Sequence, residues 1–321
     1  MSLRPAFTSV ASRQAPPSVV HAPAKLNLSL AVLARRPDGF HEIESLMVPV
    51  SLHDTLRLRV TDEPGIRLSV AFGGRLSQPQ ALALRRDVPT DDSNLVVRAA
   101  RLLAEEAGVS LGLEVELIKE IPSGAGLGGG SSDAAAVLAA AADAWGVDWS
   151  QERLAALGSR LGSDIPWFFA GGPAVAGGRG EWIEPVDGIP PLPAVIACPA
   201  VGLSTAEVYG RCVPDASRRG EAARLAAALA DGRLHSSHLL MHNALERPAR
   251  QLCPDVSRLL EAMAAAGATR PMLTGSGRAC FAIARTAPEA RGIAARLDAA
   301  GWPGVFPVRF MPGRMGQMLT E

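Results

Sequence analysis

The chain has 321 residues, of which 48% are hydrophobic, enough to build the core of one large domain or of two smaller ones. Its 32 basic and 32 acidic residues balance, so no global field favours a nucleic acid or an anionic membrane as a partner. The four cysteines are widely spaced without a C-x-x-C pair, which disfavours a zinc site and a disulfide scaffold. We therefore expect a cytoplasmic globular protein without a transmembrane segment.

The N-terminal 20 residues are rich in Ser, Pro, Ala and Arg and contain no acidic residue, a composition that organelle transit peptides share. Pro16, Pro17 and the lack of an apolar stripe argue against an amphipathic targeting helix. We predict a disordered extension over residues 1–18 and folded structure from residue 19.

The next segments predict a β-sheet. Residues 26–32 alternate between apolar and small or polar side chains, which indicates a strand, and the turn at 36–39 would close a hairpin. The same alternation over 56–60 and 66–70 predicts further strands of this sheet.

A helix and another strand follow. The helix is predicted to be capped by Asp92 or Ser93 and to run to about Glu106. Residues 113–121 then alternate between apolar and charged side chains, as a strand with one face in water does. We expect this strand to lie in a half-exposed, antiparallel sheet.

The segment 121–133, which reads IPSGAGLGGGSSD, is a glycine-rich turn that runs into an alanine-rich helix, predicted from Ser131. Glycines let backbone N–H groups converge on an anion, and a helix N-terminus adds unpaired N–H groups and its positive dipole end. The segment therefore predicts a phosphate site and a nucleotide ligand.

Three classes of glycine loop compete for this segment. A P-loop needs Lys after its last Gly, where Ser131 stands, and is excluded. The glycines also satisfy the dinucleotide pattern G-x-G-x-x-G, but the first strand of a Rossmann fold is continuously apolar, unlike residues 113–121. A phosphate loop joined to a half-exposed sheet fits better, and a dehydrogenase remains a distant alternative.

The rest of the chain predicts a second domain. A helix over 150–161 precedes glycine-punctuated hairpin strands, and a proline cluster at 190–193 marks a boundary between domains at 19–189 and 190–321. The second domain is predicted to be mixed α+β, with its last three elements forming a β-α-β unit. Its strands are expected at 195–198, 279–284 and 305–310, and its helices near 221–230, 236–247, 255–266 and 288–300.

Three further features carry chemistry. Lys25 and Asn27 stand at the start of an otherwise apolar strand. Asp164 heads an aromatic, apolar run, where a carboxylate must be capped, paired or functional. The glycine turn at 273–277 can bring backbone amides close to a ligand or to another segment of the chain.

The order and spacing of these features resemble the GHMP kinase superfamily over nearly the whole chain after residue 20. The resemblance implies an α+β fold, with an N-terminal mixed α/β domain that binds ATP and a C-terminal ferredoxin-like α+β domain. Residues 36–41, 92–95, 204–209 and 243–246 look like those of the branch that serves the non-mevalonate isoprenoid pathway. That branch phosphorylates a cytidine diphosphate-linked methylerythritol.

The resemblance also implies roles for particular residues. Asp164 would be the general base that takes a proton from the C2 hydroxyl of the substrate, and Lys25 would neutralise growing charge and keep Asp164 ionised. Cytosine would stack between Phe40 and Tyr209, with His41 at its hydrogen-bonding edge, and Asn27 would contact the substrate near Lys25. Phe40 replaces a usual tyrosine and Ala244 a common aspartate.

For ATP, the resemblance implies a site that wraps the phosphates, with Mg²⁺ as the accompanying ion and Ser132 as its candidate ligand. Asn94 and Lys119 would lie near the adenine. The loop residues expected to contact ATP are Pro122, Gly124, Ala125, Gly126, Leu127, Gly128, Gly129, Gly130, Ser131 and Ser132.

Two other functions stay open. Another small-molecule kinase of the superfamily, of the homoserine or mevalonate type, is disfavoured by Phe40, His41 and Tyr209, which suit a nucleotide-linked substrate. A non-catalytic nucleotide-binding module is disfavoured by Lys25 and Asp164. We expect a small-molecule substrate and a monomer or weak homodimer.

Overall fold

The computed structural model describes residues 17–85 and 88–311. The predicted extension lies almost wholly outside the described residues, and the first strand begins at Ser18, within a residue of its predicted start. The strands of the described residues are β1 (Ser18–Arg35), β2 (His41–Thr61), β3 (Ile66–Phe72), β4 (Gly112–Lys119), β5 (Ala174–Gly178), β6 (Trp182–Pro185), β7 (Pro193–Cys198), β8 (His242–Asn243), β9 (Met272–Leu273), β10 (Cys280–Ile283) and β11 (Gly304–Arg309).

The helices follow β3 in the chain, and in the described residues none is long and apolar enough to cross a membrane. They are α1 (Leu95–Ala107), α2 (Gly129–Ala144), α3 (Gln151–Ser159), α4 (Ile165–Phe168), α5 (Thr205–Gly210), α6 (Glu221–Ala230), α7 (Leu234–Leu240), α8 (Glu246–Leu252), α9 (Pro254–Ala265) and α10 (Ala287–Ala299).

The large sheet has the strand order β3-β4-β2-β1-β8, with the β5–β6 hairpin paired to β2. The expected antiparallel arrangement is only partly right, because β3 runs parallel to β4 and β8 runs parallel to β1. The reason is the connection between β3 and β4: it contains α1, and such a crossover returns the chain in the same direction.

The small sheet has the order β11-β7-β10-β9, and all its neighbouring strands are antiparallel. Counted in chain order this is 4-1-3-2, with helices after the first and third strands. The ferredoxin-like prediction and the β-α-β unit of β10, α10 and β11 are therefore confirmed.

Three hydrophobic clusters hold these layers together. One packs α1 to α4 onto the large sheet and includes Leu56, Leu103 and Leu117. The second joins the large sheet to the small sheet and includes Leu28 and Phe281. The third covers the other side of the small sheet with α8, α9 and α10. The two halves of the chain thus share a continuous core, because the second cluster draws on both.

Some predicted boundaries are wrong. The helix expected over 236–247 is interrupted, because α7 ends at Leu240 and the next residues form β8 beside β1. The Asn243 side chain stabilises this interruption of the helix by donating to the carbonyls of Leu273 (3.0 Å) and Gly275 (2.8 Å). Helix α1 is capped by Asn94 rather than by Asp92 or Ser93.

Candidate active site

The glycine-rich loop joins the end of β4 to the start of α2, which begins at Gly129, two residues before the predicted start. Gly124, Gly126 and Gly128 have φ values of 64°, 87° and 74°, a left-handed conformation that side chains disfavour. No side chain caps α2 at Gly128. The N–H groups of its first turn therefore stay available to an anion, as expected of a phosphate loop.

A second glycine turn packs directly against this loop. An added Cβ at Gly277 would lie 2.2 Å from the carbonyl carbon of Ala125 and 2.3 Å from the nitrogen of Gly126. The N–H of Ala279 also donates to the oxygen of Ala125 over 2.9 Å. The turn at 273–277 therefore approaches another segment of the chain, one of the two outcomes that its sequence allowed.

Arg278 reinforces this contact between the two halves. Its side chain is fully buried and donates to the carbonyl oxygens of Ser123, at 3.2 Å, and Ala200. Ser123 belongs to the phosphate loop, whereas Ala200 follows β7 of the small sheet. The guanidinium thus ties the loop to the C-terminal domain, a role that no local sequence pattern indicated.

Lys25 reaches the site through an irregularity in β1. The pairing of β1 with β2 shifts register between Pro23 and Lys25, and the N–H of Lys25 donates to the oxygen of Leu127 in the phosphate loop over 2.9 Å. The Lys25 side chain is 4% exposed. Burial lowers the pKa of its amine, and the negative charge of Asp164 opposes that shift.

Asn27 positions Lys25. Its Oδ1 accepts from the Lys25 Nζ at 2.6 Å, its Nδ2 donates to the Ser45 hydroxyl at 2.8 Å, and its backbone N–H donates to Thr274 Oγ1 at 2.8 Å. The amide was predicted to contact the substrate, but in this structure protein groups engage both of its ends. Asn27 therefore joins Lys25 to the second glycine turn.

Asp164 stands at the head of α4, and its carboxylate does not cap that helix. It is partly exposed and lies beside the β5–β6 hairpin, where an added Cβ at Gly180 would be 3.6 Å from Asp164 Oδ1. Its charge acts on Lys25 and also on Tyr209, whose pKa is raised by burial and further by Asp164. The two predicted catalytic residues are thus brought to the same site.

The predicted cytosine-binding residues also gather here. The rings of His41 and Tyr209 lie 5.2 Å apart, centroid to centroid, at an angle of 34°. A contact of 3.0 Å between the hydroxyls of Thr205 and Ser276 joins the start of α5, which carries Tyr209, to the second glycine turn. Phe40 precedes His41 and is 49% exposed. An aromatic surface therefore borders the site of Asp164.

The residues predicted to lie near the adenine are engaged with the protein. Asn94 Oδ1 accepts from the N–H of Val96 at 2.9 Å, and its Nδ2 donates to the oxygen of Pro89 at 2.7 Å. The next residue, Leu95, contacts the position of a Cβ at Gly130, at 3.7 Å. The start of α1 therefore lies beside the start of α2.

Lys119 belongs to a buried charge cluster that sequence reasoning missed. Its Nζ donates to Asp54 and, at 2.7 Å, to Asp133. Asp54 also accepts the backbone N–H groups of Glu120 (2.6 Å) and Ile121 (2.8 Å), at the entrance to the phosphate loop. The sequence did contain a signal for this cluster. Asp54 lies two residues from Leu52 and two from Leu56, and therefore on the same buried face of β2.

Burial shapes the ionisation of this cluster. Burial alone would lower the pKa of Lys119, but the charges of Asp133 and Asp54 outweigh it and raise the pKa. Burial raises the pKa of Asp133 to about 8, against the opposing charge of Lys119. Two carboxylates thus share one ammonium in a place where excess negative charge is costly.

Two oxygens near the start of α2 have no hydrogen-bond partner. They are the Ser132 Oγ and the Asp133 Oδ1, and both residues are at least 98% buried. Within residues 17–85 and 88–311, no group of three or more His, Cys, Asp or Glu side chains could enclose a metal ion. This donor set fits Mg²⁺ only as an ion that takes most of its ligands from phosphates and water.

The fold and these motifs define a class of enzyme. Residues 94–172 match the family model described as the N-terminal domain of GHMP kinases, and residues 223–303 match the model of the GHMP kinase C-terminal domain. A homoserine kinase from Cytophaga hutchinsonii, 22% identical, has the same fold with a TM-score of 0.72 over 98% of this chain and 99% of that one. The protein is a GHMP kinase.

More similar relatives narrow the class. The 4-diphosphocytidyl-2-C-methyl-D-erythritol kinase of Rhodopirellula baltica is 43% identical and covers 89% of this chain and 92% of its own length. The kinase of the same name from Shouchella clausii is 39% identical and covers 82% of this chain and 84% of its own length. A crystal structure of 4-(cytidine 5'-diphospho)-2C-methyl-D-erythritol kinase, 35% identical, gives a TM-score of 0.74 over 92% of this chain and 100% of that one. The chain belongs to this kinase family.

The close packing of the two glycine turns generates a first prediction. We expect Gly277→Ala to destabilise the fold by about 3 kcal/mol, because the new methyl group meets backbone atoms that cannot rotate away. The shift of the phosphate loop should also raise the KM for ATP by on the order of tenfold. Urea denaturation and steady-state kinetics measure the two effects.

Gly210→Ala is the matched control for this substitution. Gly210 ends α5, and an added Cβ there would have no neighbour within 4 Å. The free energy of unfolding of the Gly210→Ala variant should stay within about 0.5 kcal/mol of that of the wild type. Equal behaviour of the two variants would contradict the role assigned to Gly277.

The buried charge cluster generates a second prediction. We expect Asp54→Asn to lower the free energy of unfolding by about 3–5 kcal/mol, because the amide group that would face Lys119 is a donor and cannot accept the hydrogen bond of the buried ammonium. Arg57→Gln, on the same strand, removes the exposed ion pair with Glu116 and should cost less than about 1 kcal/mol. A similar loss in both variants, measured by urea denaturation, would show that the buried cluster contributes no more to stability than an exposed ion pair does.

Proposed function

We propose that this protein transfers the γ-phosphoryl group of ATP to the C2 hydroxyl of 4-diphosphocytidyl-2-C-methyl-D-erythritol, a step of isoprenoid biosynthesis. The observation that carries the proposal is the convergence of Lys25 and Asp164 beside an uncapped phosphate loop and an aromatic surface. The names of the relatives supply the acceptor. The likeness to homoserine and mevalonate kinases is below 25% identity and supports the fold alone.

Asp164 is the general base in this proposal. Its carboxylate is free of the capping role that its position at the head of α4 would allow, so it can accept the proton of the attacking hydroxyl. Once that oxygen attacks the γ-phosphorus, the bond to the β-phosphate oxygen breaks and ADP leaves. No covalent intermediate with the protein is required.

Lys25 stabilises charge during this transfer. It is held by Asn27 in a buried position beside the loop, so little reorganisation is needed when negative charge develops on the phosphoryl oxygens. The amides of residues 124–132 complete the electrostatic environment. Because phosphoryl transfer depends mainly on positioning and charge, these groups are sufficient.

The nucleotide would occupy the side of the loop that faces α1. The closeness of Leu95 to Gly130 supports an adenine position near Asn94 and Lys119, as expected from the resemblance. Mg²⁺ would be held by the Ser132 hydroxyl and by the phosphates, and its role when bound is to neutralise the charge of the β- and γ-phosphate oxygens.

The four cysteines are free thiols, which supports a cytoplasmic location.

The decisive experiment is a comparison of acceptors. We expect ATP- and Mg²⁺-dependent phosphorylation of 4-diphosphocytidyl-2-C-methyl-D-erythritol, and no turnover of homoserine or mevalonate under the same conditions. Product formation is followed by phosphorus NMR, which also reports the position of the new phosphate. Turnover of homoserine or mevalonate instead would overturn the proposed acceptor while leaving the kinase class intact.

The roles of the two catalytic residues give a further prediction. We expect Asp164→Asn and Lys25→Met each to lower kcat about a hundredfold or more with little change in the KM for ATP, because each removes a group needed in the transition state. Asp187→Asn, in an exposed loop after β6, should leave both parameters unchanged. Near wild-type turnover in either catalytic variant would refute its assignment.

A further inference from the structure

Arg179 occupies the tip of the β5–β6 hairpin, between two glycines of positive φ, Gly178 (68°) and Gly180 (117°). Its guanidinium carbon lies 3.6 Å from the centroid of the Phe40 ring. A cation at this distance is attracted to the face of the ring. The hairpin therefore places a positive charge directly on the aromatic surface of the active site.

The surrounding protein does not use the hydrogen-bonding capacity of this guanidinium fully. The Nε of Arg179 is buried and has no hydrogen-bond partner. Glu181, in the same turn, accepts the backbone N–H of Arg179 rather than its side chain. The Asp38 carboxylate is the nearby acid, and it is engaged by Arg36 at 3.3 Å and by the N–H of Phe40 at 3.0 Å. A planar donor group thus remains available in a half-buried position.

The position of Arg179 along the site is informative. On one side its guanidinium covers Phe40, and on the other side its neighbour Gly180 lies against Asp164. Arg179 therefore lies between the aromatic surface and the general base. Lys25, the other cation of the site, is buried and held by Asn27.

The proposed acceptor has its chemical groups in a matching order. Cytidine forms one end, the reacting hydroxyl belongs to the other end, and the diphosphate lies between them. If cytosine stacks at Phe40 and the hydroxyl meets Asp164, the diphosphate passes the hairpin tip. The guanidinium fork is the protein group best suited to bind phosphate oxygens with two hydrogen bonds.

We infer that Arg179 binds the diphosphate of the acceptor and thereby selects nucleoside diphosphate substrates, an inference that rests on the proposed function. Because Arg179 covers one face of the Phe40 ring, the other face is left for the cytosine ring. Arg179 would then contribute twice, by holding the Phe40 ring in place and by neutralising the diphosphate. It is a specificity-determining residue in the acceptor site and takes no part in the transfer of the proton.

The test compares Arg179→Gln and Arg179→Lys with Arg153→Gln. Arg153 stacks on Trp149 at the same 3.6 Å, so its variant controls for loss of a cation on a ring elsewhere in the protein. We expect Arg179→Gln to raise the KM for the acceptor about tenfold or more, with kcat and the KM for ATP changed less than about twofold. Arg179→Lys should recover part of the loss, and Arg153→Gln should match wild type.

Two inhibitors distinguish the contribution of the diphosphate to binding from that of the cytosine ring. Wild type should be inhibited more strongly by CDP than by cytidine, both competing with the acceptor, and Arg179→Gln should lose this preference. An unchanged or lower acceptor KM in Arg179→Gln, or equal weakening of both inhibitors, would overturn the inference. Failure of wild type to phosphorylate the acceptor would instead count against the proposed function, and calorimetric binding of CDP and cytidine would still test Arg179.

Discussion

The site depends on the contact between two glycine turns that are far apart in sequence. Residues 124–128 and 274–277 approach so closely that a single methyl group on Gly277 would overlap the backbone of Ala125. This distance forces the large sheet and the small sheet to meet at the phosphate loop. The backbone N–H of Asn27 donates to the Thr274 hydroxyl and the Arg278 side chain donates to Ser123, so both halves of the chain shape the loop.

Charge is distributed unevenly around this junction. Behind the loop, Asp54 and Asp133 share the ammonium of Lys119 in a buried cluster that fixes the entrance to the loop. At the active site, the amine of Lys25 interacts electrostatically with the partly exposed carboxylate of Asp164. The first arrangement is closed and structural, since its ammonium is held between two buried carboxylates. In the proposed reaction, the second has to admit a reacting hydroxyl and a phosphoryl group between its cation and its carboxylate.

Sequence reasoning singled out positions where a local pattern conflicts with its surroundings. Lys25 and Asp164 interrupt apolar runs, and the glycine-rich segment conflicts with any regular structure, so each is visible without a partner. The helix over 236–247 was wrong because β8 is only two residues long and depends on Asn243 reaching a distant turn. The partners of Asn27 lie up to 247 positions away, and no local periodicity encodes such contacts.

The pairing of β8 with β1 has a consequence for synthesis on the ribosome. A nascent chain that ends near the proline cluster carries β1 with an unpaired edge, and the residues of the second glycine turn that contact its phosphate loop have not yet been synthesised. Further contacts of that loop come from Arg278, which lies 155 positions after Ser123, and from Ala279. The phosphate loop is therefore fully supported only after residue 279 has been synthesised, and β1 keeps an unpaired edge until β8 has been synthesised.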